Sequence, residues 1–534
     1  LQSQSLKARQ TRALTFAAVL DRFKFNVPLT GRAPAAVESG KGSSMGLNYK
    51  VIFGMKLRQY REAAKLSLTD LSARTGLSPS YLTEIEHGKK YPKTEKIARL
   101  AETLGRSYDD LVSIRLDEEL SPLAGFLRSP VLHNFPYHLF GISAAQVVEL
   151  LTRQPAEASA LVRALLGIAE QYNIGVEHLF RSALRAYQEM NENYFPDIER
   201  AVDEFARAAS IEFEPTPTLA DLRTLIESRF NYRLDDQRLE RHARLRRFRS
   251  VLVAGKQNGP TLLINGALTK RQKKFILARE IGYEVLGLKE RAMTSAPERV
   301  DSFEQVLNDF KASYFAGALL VNRARVRTDL EEFFALDTWQ PARFRAFLDR
   351  YHVTPEVFMY RLTEILPQDF GIKLHFLRFN HEAGGYHLVK HMNMSQVLIP
   401  GGTGVDEHYC RRWLAIRILQ KLEQPASPDE PIVDAQLSRF IDSNARFLCI
   451  AVARHLTLNS AATSSVSLGF RCDDEFERTV KFATDPSITR LDIDGTCERC
   501  RLTPEQCGDR VAPPYLLERQ RAHREIEQEL ASLS

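Results

Sequence analysis

Cysteine is missing from the first three-quarters of this 534-residue chain; the six present are Cys410, Cys449, Cys472, Cys497, Cys500 and Cys507. A secreted disulfide scaffold is short and spreads its cysteines throughout. That class is excluded, and a reducing cytoplasm is the expected setting. Long apolar runs are also lacking. None reaches the ~18 residues that a membrane-spanning helix needs, so no membrane partner is expected. A strong charge of one sign is absent too: 73 Lys and Arg face 67 Asp and Glu, a net charge of +6. That balance suits an anionic partner without identifying one. With 44% hydrophobic and 26% charged residues the chain has an ordinary globular composition, and its length predicts roughly three or four domains. Residues 1–48 hold basic and small residues, few acids and no sustained periodicity. They read as a disordered or non-native leader, with Met45 a plausible start.

What is present begins with a dense alternation of helical periods and punctuation over residues 51–113. A helix through MKLRQYREAAK precedes SLTDLSARTG, LSPSYLTEIEHGKKYP and KTEKIARLAETLG. Ser67 and Asp70 have capping-box spacing. Gly76 closes that short helix, Ser78 caps the next, and Pro79 takes the first helical position, where a missing N–H costs nothing. Two short helices across a tight turn make a helix-turn-helix, whose second helix enters the major groove. The side chains set to face DNA are Ser78, Ser80, Tyr81, Thr83 and Glu84, with Lys89, Lys90 and Lys93 as phosphate contacts. Residues 49–115 carry 13 Lys and Arg against 8 Asp and Glu, as phosphate binding requires. The stretch resembles the phage-repressor, XRE-like helix-turn-helix, departing from it at Leu68, where that family often has Gln. The resemblance implies a double-stranded DNA operator read by a homodimer or higher homo-oligomer.

Residues 116–210 are rich in Leu, Ala, Arg and Glu and read as a helical connector. A helix (LADLRTLIESRF), two short strands and the segment ILAREIGYEVLG follow. This order, with a later helix FKASYFAGALLV, resembles the ImmA/IrrE-type zinc peptidase fold over roughly 216–330. A zincin needs two neutral imidazoles at i and i+4, a Glu beside the first, and a third ligand from a later helix. Here Arg279 and Tyr283 stand at the histidine positions, only Glu280 survives, and Lys311 stands at the third. A cation at the centre of a zinc site repels the metal, so no peptidase activity is expected. Two readings remain. The helix packs, with Glu280 paired to Arg279 or Lys311; or the old cleft serves as a pocket for an anionic ligand.

In CERCRLTPEQCGDRVAPP, Cys497, Cys500 and Cys507 are close enough to share one metal centre. Zinc, an iron–sulfur cluster, a free redox pair and unligated thiols all fit that spacing. Cys472, Cys410 and His455 are available as a fourth ligand. HYCRRW (408–413), SVSLGFRC (465–472) and the final cysteine run resemble the C-terminal sensor of the short-chain fatty acyl transcriptional regulators, which share this domain order. The resemblance implies control of short-chain acyl metabolism, acyl-CoA or CoA as effector, and a [4Fe–4S] cluster on Cys497, Cys500 and Cys507. Cys472 and Cys410 complete or support it, and Cys449 is a buried apolar residue. Arg411 stands where that family has Pro.

Other features carry blander expectations. RLERHARLRRFR (238–249) either holds phosphates or is a solvated face. IPGGTGVDEH (399–408) is a plain loop, since it lacks the P-loop Lys. His375, His381, His387 and His391 fall in a strand-like segment whose period of two could gather them. The fold expected is mainly α with an α+β sensor: a helix-turn-helix bundle at 49–115, the connector at 116–210, a zincin-like α+β domain at 211–370, and an α+β cysteine domain at 371–534.

Overall fold

The computed structural model describes residues 42–113, 135–142, 146–147, 158–165, 175–214, 216–255, 259–295, 300–382, 385–397, 399, 407–423, 430–503, 505–508 and scattered positions from 511 onward. The chain divides into two compact units, Leu1–Leu184 and Arg185–Ser534. Residues 1–41, much of the first half of the expected connector and most of the 399–408 loop lie outside the described residues.

The first unit contains α1 (Gly42–Ala63), α2 (Leu68–Thr75), α3 (Pro79–Glu86), α4 (Thr94–Thr103) and α5 (Tyr108–Val112). Helix α1 begins ahead of the expected segment. The local code for α2 is realised in full. The Ser67 hydroxyl accepts from the Asp70 amide at 3.1 Å, and the Asp70 carboxylate accepts from the Ser67 amide at 2.9 Å. Gly76 ends the helix with φ 69°, a conformation a side chain would strain. Ser78 caps α3 with Pro79 inside its first turn. Phe53, Leu57, Leu71, Leu82, Ile85, Ile97 and Leu100 form the core. Below it lies a buried ion pair in which Arg61 forks onto Glu86 at 2.7 and 2.9 Å.

Helix α6 (Val176–Met190) carries the chain into the second unit, followed by α7 (Pro196–Ala208) and α8 (Leu219–Phe230). A small sheet then forms from β1 (Arg233–Asp235), β2 (Ser250–Val253), β3 (Thr261–Ile264) and β4 (Thr294–Ser295), in the order β1-β3-β2-β4. Helix α9 (Lys270–Val285) starts on a Thr269–Gln272 capping box and is the segment with the zincin spacing. It lies against α10 (Phe303–Leu320), and Gly282 is what permits the approach. A Cβ there would stand 3.0 Å from the Ala312 carbonyl and from Phe315. Helices α11 (Arg323–Phe334), α12 (Pro341–Arg350) and α13 (Pro355–Phe370) complete this layer.

The rest is a six-stranded sheet of β5 (Leu374–Glu382), β6 (Gly385–Asn393), β7 (Ile432–Phe440), β8 (Arg446–His455), β9 (Thr463–Arg471) and β10 (Thr489–Ile493), ordered β10-β7-β8-β9-β5-β6. Only the β10–β7 pair is parallel. The inner strands β8 and β9 are buried along almost their whole length, as happens when helices cover both faces. Helix α14 (Leu414–Leu422) covers one face of the sheet and α13 contributes to the other, while α15 (Asp474–Thr479) leads toward β10.

The histidines do not gather. Across the β5–β6 pair His375 faces Asn393, Leu377 faces His391 and Asn380 faces His387. His375 is buried against Phe447, His381 meets Glu423 and His391 meets Arg185. Alternation on two antiparallel strands spreads them over both faces.

Candidate functional site

In the helix-turn-helix the recognition helix is α3. Ser78 and Ser80 are exposed, and Tyr81, Thr83 and Glu84 are half-buried. Not all of them are idle. The Thr83 hydroxyl donates to the Pro79 carbonyl at 2.9 Å, and Lys90 pairs with Glu84 at 2.7 Å. Lys89 and Lys93 are exposed, as phosphate contacts require. Sequence reasoning missed Lys96, whose ammonium lies 4.2 Å from the centre of the Tyr81 ring. The ring is therefore held from α4 by a cation–π contact. Lys96 sits in the first turn of α4, and its spacing alone gave no signal of this.

On α9 the two altered zincin positions, Arg279 and Tyr283, stay beside the retained Glu280, which keeps Arg279 as an ion-pair partner and gains Arg291. Glu280 is 1% exposed and its carboxylate is taken by Arg291, with Arg279 at 3.7 Å. Arg291 also lies over the Tyr283 ring at 3.8 Å. Lys311 does not join this group. Asp309 does, accepting from Tyr283 at 3.2 Å and from Arg279 at 3.4 Å. Asp309 lies one turn before Ala312, which meets α9 at Gly282. Burial, followed by the nearby Asp309 charge, pushes the Tyr283 phenol up, so it stays a neutral donor. The geometry is that of a closed ion-pair cluster built on a metal-site scaffold.

Arg279 also reaches the other way. It lines a cavity of about 190 Å³ enclosed by α9, α10, α13 and the six-stranded sheet. Arg249, Arg378, Arg454, Lys390 and Arg361 line it as well, against the carboxyls of Glu356 and Glu364. Phe275, Ile276, Val357 and Phe376 supply apolar wall. The two acids are already engaged: Arg454 forks onto Glu356 at 2.7 Å, and Arg361 donates to Glu364 at 2.7 Å. Burial pushes Glu356 up, but Arg454 and Arg378 overcome it and hold the carboxyl down at about 2. Arg378 and Lys390 stand directly opposite each other across β5–β6, a like-charge placement that disfavours the pair. Burial, then the Arg378 charge, lowers the Arg249 guanidinium, and buried Arg279 Nε has no hydrogen-bond partner. The cavity therefore presents an excess of basic over acidic side chains beside apolar surface. The basic run 238–249 divides accordingly. Its middle forms exposed turns, and its last residue, Arg249, enters the cavity.

Behind the cavity wall is a second buried cluster. Arg361 forks onto Glu199 at 2.6 and 2.9 Å, and Tyr314 donates to Glu199 at 2.7 Å. Burial raises Glu364 to about 8, against the pull of Arg361, while Glu199 is held below its usual range because Arg361 outweighs burial.

The cysteines sort into two groups. An isolated bridge pairs Tyr409 with Thr496, and the Cys497 amide donates to the His408 carbonyl at 2.8 Å. This sets buried Cys410 within electrostatic reach of Cys497 and Cys500. Arg412 donates to the Gln506 carbonyl at 3.2 Å, bringing the Cys507 loop to the same strand end. The Glu498 carboxylate accepts from the His408 amide at 2.7 Å and fixes the turn. Cys472 lies 3.9 Å from the Phe470 carbonyl, with Cys449 as its sulfur neighbour. Among the described residues no three His, Cys, Asp or Glu side chains converge on one metal ion. Cys410, Cys497, Cys500 and Cys507 are the thiols that could hold a metal group at this end of the sheet. His455 lies at the opposite end of β8, whereas Cys472 follows β9 at this same end of the sheet, its amide donating to the Arg446 carbonyl at 2.9 Å.

Residues 52–113 match the helix-turn-helix domain family, and residues 236–363 match the IrrE N-terminal-like domain family. The chain contains an XRE-type helix-turn-helix domain and an IrrE-like peptidase-fold domain. Over 62 residues it is 37% identical to the uncharacterized HTH-type transcriptional regulator RghRB of Bacillus subtilis (strain 168), a match covering 11% of this chain and 45% of that protein. A solved structure described as a Mycobacterium tuberculosis transcriptional regulator aligns with 62% of this chain and 94% of its own, at 18% identity and a TM-score of 0.44. Among the described residues no helix is long and apolar enough to cross a membrane.

Proposed function

We propose that this protein is a DNA-binding transcription regulator of short-chain acyl or carbon metabolism, acting as a homo-oligomer on a double-stranded operator and responding to an acyl-CoA. The observation that carries the reading is the cavity, where Arg249, Arg279, Arg378 and Lys390 meet Phe275, Ile276, Val357 and Phe376. A CoA thioester has the matching chemistry: phosphate charge for the guanidinium groups and a short apolar chain for the aromatic wall. An effector must favour one of two protein states to change DNA affinity. The IrrE-like domain is in this reading a receptor rather than a peptidase. The ion pair between Arg291 and Glu280 supports that, because it engages the carboxylate a zincin would use as general base.

Cys410, Cys497, Cys500 and Cys507 are the residues that would hold an iron–sulfur cluster. Bound there, the group would supply sensitivity to oxidants. The chain's own part is to bury the thiols and fix the loop through Glu498. Two measurements test the proposal. Anaerobic purification with a visible spectrum and iron and sulfide assays is expected to give a brown, iron-loaded protein. Titration of the DNA complex with acetyl-CoA is expected to change its affinity. No acetyl-CoA effect, with the cluster intact or removed, leaves a redox regulator without CoA control.

A further inference from the structure

The cavity has a wall that is shared with the helix leading out of this unit. Tyr360 of α13 lines the cavity, and its hydroxyl accepts from Gln188 Nε2 on α6 at 2.7 Å. The same amide donates to Asn193 at 3.1 Å, and Asn193 donates to Thr363 at 2.8 Å. Gln188 and Asn193 are buried, so these bonds have no competing water. On its other side the Tyr360 ring carries the Lys390 ammonium, 3.4 Å from the ring centre. Lys390 is an exposed residue of β6 at the cavity wall. The next residues of β6 hold α6 directly. His391 Nδ1 accepts from Arg185 at 3.2 Å, and the Asn393 amide donates to Glu189 at 2.8 Å. Burial, then the Arg185 charge, lowers His391 to about 4, so at neutral pH the ring is uncharged and can accept that bond.

One strand therefore supplies a cavity cation and grips the last turns of α6, and one tyrosine links the cavity to the same turns. We propose that Gln188 couples occupancy of the cavity to α6, the helix that carries the chain toward the DNA-binding unit. The inference rests on the reading of the cavity as the effector site. The ammonium of Lys390 has two competing uses, the face of Tyr360 and an anion in the cavity. An anionic ligand that draws it off the ring changes the environment of the phenol, and the Gln188 hydrogen bond is the group that senses this. Arg185 and Glu189 anchor the neighbouring positions to β6, so a shift of β6 is felt by α6 at two points flanking Gln188 on one face.

The test uses full-length protein, acetyl-CoA as the probe, calorimetry for binding, and hydrogen exchange of the α6 amides for the response. In the wild type, acetyl-CoA is expected to change exchange over residues 176–190 by roughly ten-fold, an ordinary coupling. In Gln188→Met, which keeps the side-chain volume, and in Gln188→Ala, the change is expected to fall below about two-fold while acetyl-CoA affinity stays within about three-fold. An undiminished exchange response in both variants overturns the coupling role. So does wild-type protein that binds acetyl-CoA with no change in α6. Failure of the wild type to bind acetyl-CoA at all registers in the calorimetry alone, and overturns the effector reading with the coupling built upon it.

Discussion

The guanidinium of Arg291 closes on the carboxylate of Glu280, the residue at the general-base position of the zincin spacing. Glu280 is 1% exposed, and its helix neighbour Arg279 is too far away at 3.7 Å to replace the lost hydrogen bonds. Arg291→Ala is expected to destabilise the second unit by about 3–5 kcal/mol, because it strands a buried charge. The double variant Glu280→Gln with Arg291→Gln is expected to cost less than the single one. Urea unfolding of both decides it, and a single variant as stable as the wild type sinks the account.

Arg249 gives a prediction of opposite sign. Its guanidinium sits beside Arg378 and Arg454 in a cavity whose acids are already engaged. Arg249→Met is expected to stabilise the ligand-free protein by about 1 kcal/mol, since it removes a repelled charge while filling the space. The same change is expected to weaken acetyl-CoA binding at least ten-fold, or about 1.4 kcal/mol. Thermal melts with and without acetyl-CoA read both effects. A variant less stable than wild type and unchanged in binding contradicts them.

The Arg361 cluster sets a pH dependence. Glu364 keeps its proton to about pH 8 when folded, whereas the unfolded side chain loses it near 4.5. Between those values the folded state holds more protons, so this group's contribution to stability falls as pH rises. Glu364→Gln keeps an acceptor for Arg361 without the titration. Its melting temperature relative to wild type is expected to climb from pH 5 to pH 8. A difference that stays flat over that range removes Glu364 as the cause.

His375 works in the other direction. It is 4% exposed, its Nδ1 lacks a partner, and burial lowers it to about 4. The unfolded ring takes a proton from about pH 6.5 downward, so this contribution is present above 6.5 and is lost as pH falls toward 4. His375→Asn is expected to flatten the acid limb of the stability profile, measured by denaturation at pH 4.5 and pH 7.

The cysteines separate by sulfur neighbour. Cys410→Ser is expected to abolish iron loading, because Cys410 shares the strand end with Cys497 and Cys500. Cys472→Ser is expected to keep the iron, because its sulfur neighbour is Cys449. Iron and sulfide assays on the two anaerobic preparations give the answer. Equal loss in both would remove the distinction.

Features set by adjacent residues were legible in the sequence. The caps read at Ser67 and Ser78 each close through a side chain onto an amide three positions on. The three altered zincin positions could be found because the motif has fixed spacing. Partners chosen by helix phase or by distant chain were harder. Asp309 reaches Tyr283 from a neighbouring helix, and Arg291 arrives from a loop past the helix end. Cys410 stands 87 residues before Cys497, and only long-range contacts such as the Tyr409–Thr496 bridge and the Cys497–His408 hydrogen bond bring them together. The cavity draws on α9, α10, α13 and three strands of the large sheet, and no single stretch carries its pattern.

Strand β10 borders the large sheet. Its only strand neighbour is β7, and its chain runs from Ile493 through Asp494 into the Cys497 turn. Whatever grips those thiols becomes a second mooring for a border strand that otherwise has one. Under the proposed reading, release of that grip would loosen the margin first and leave the buried inner strands β8 and β9 standing.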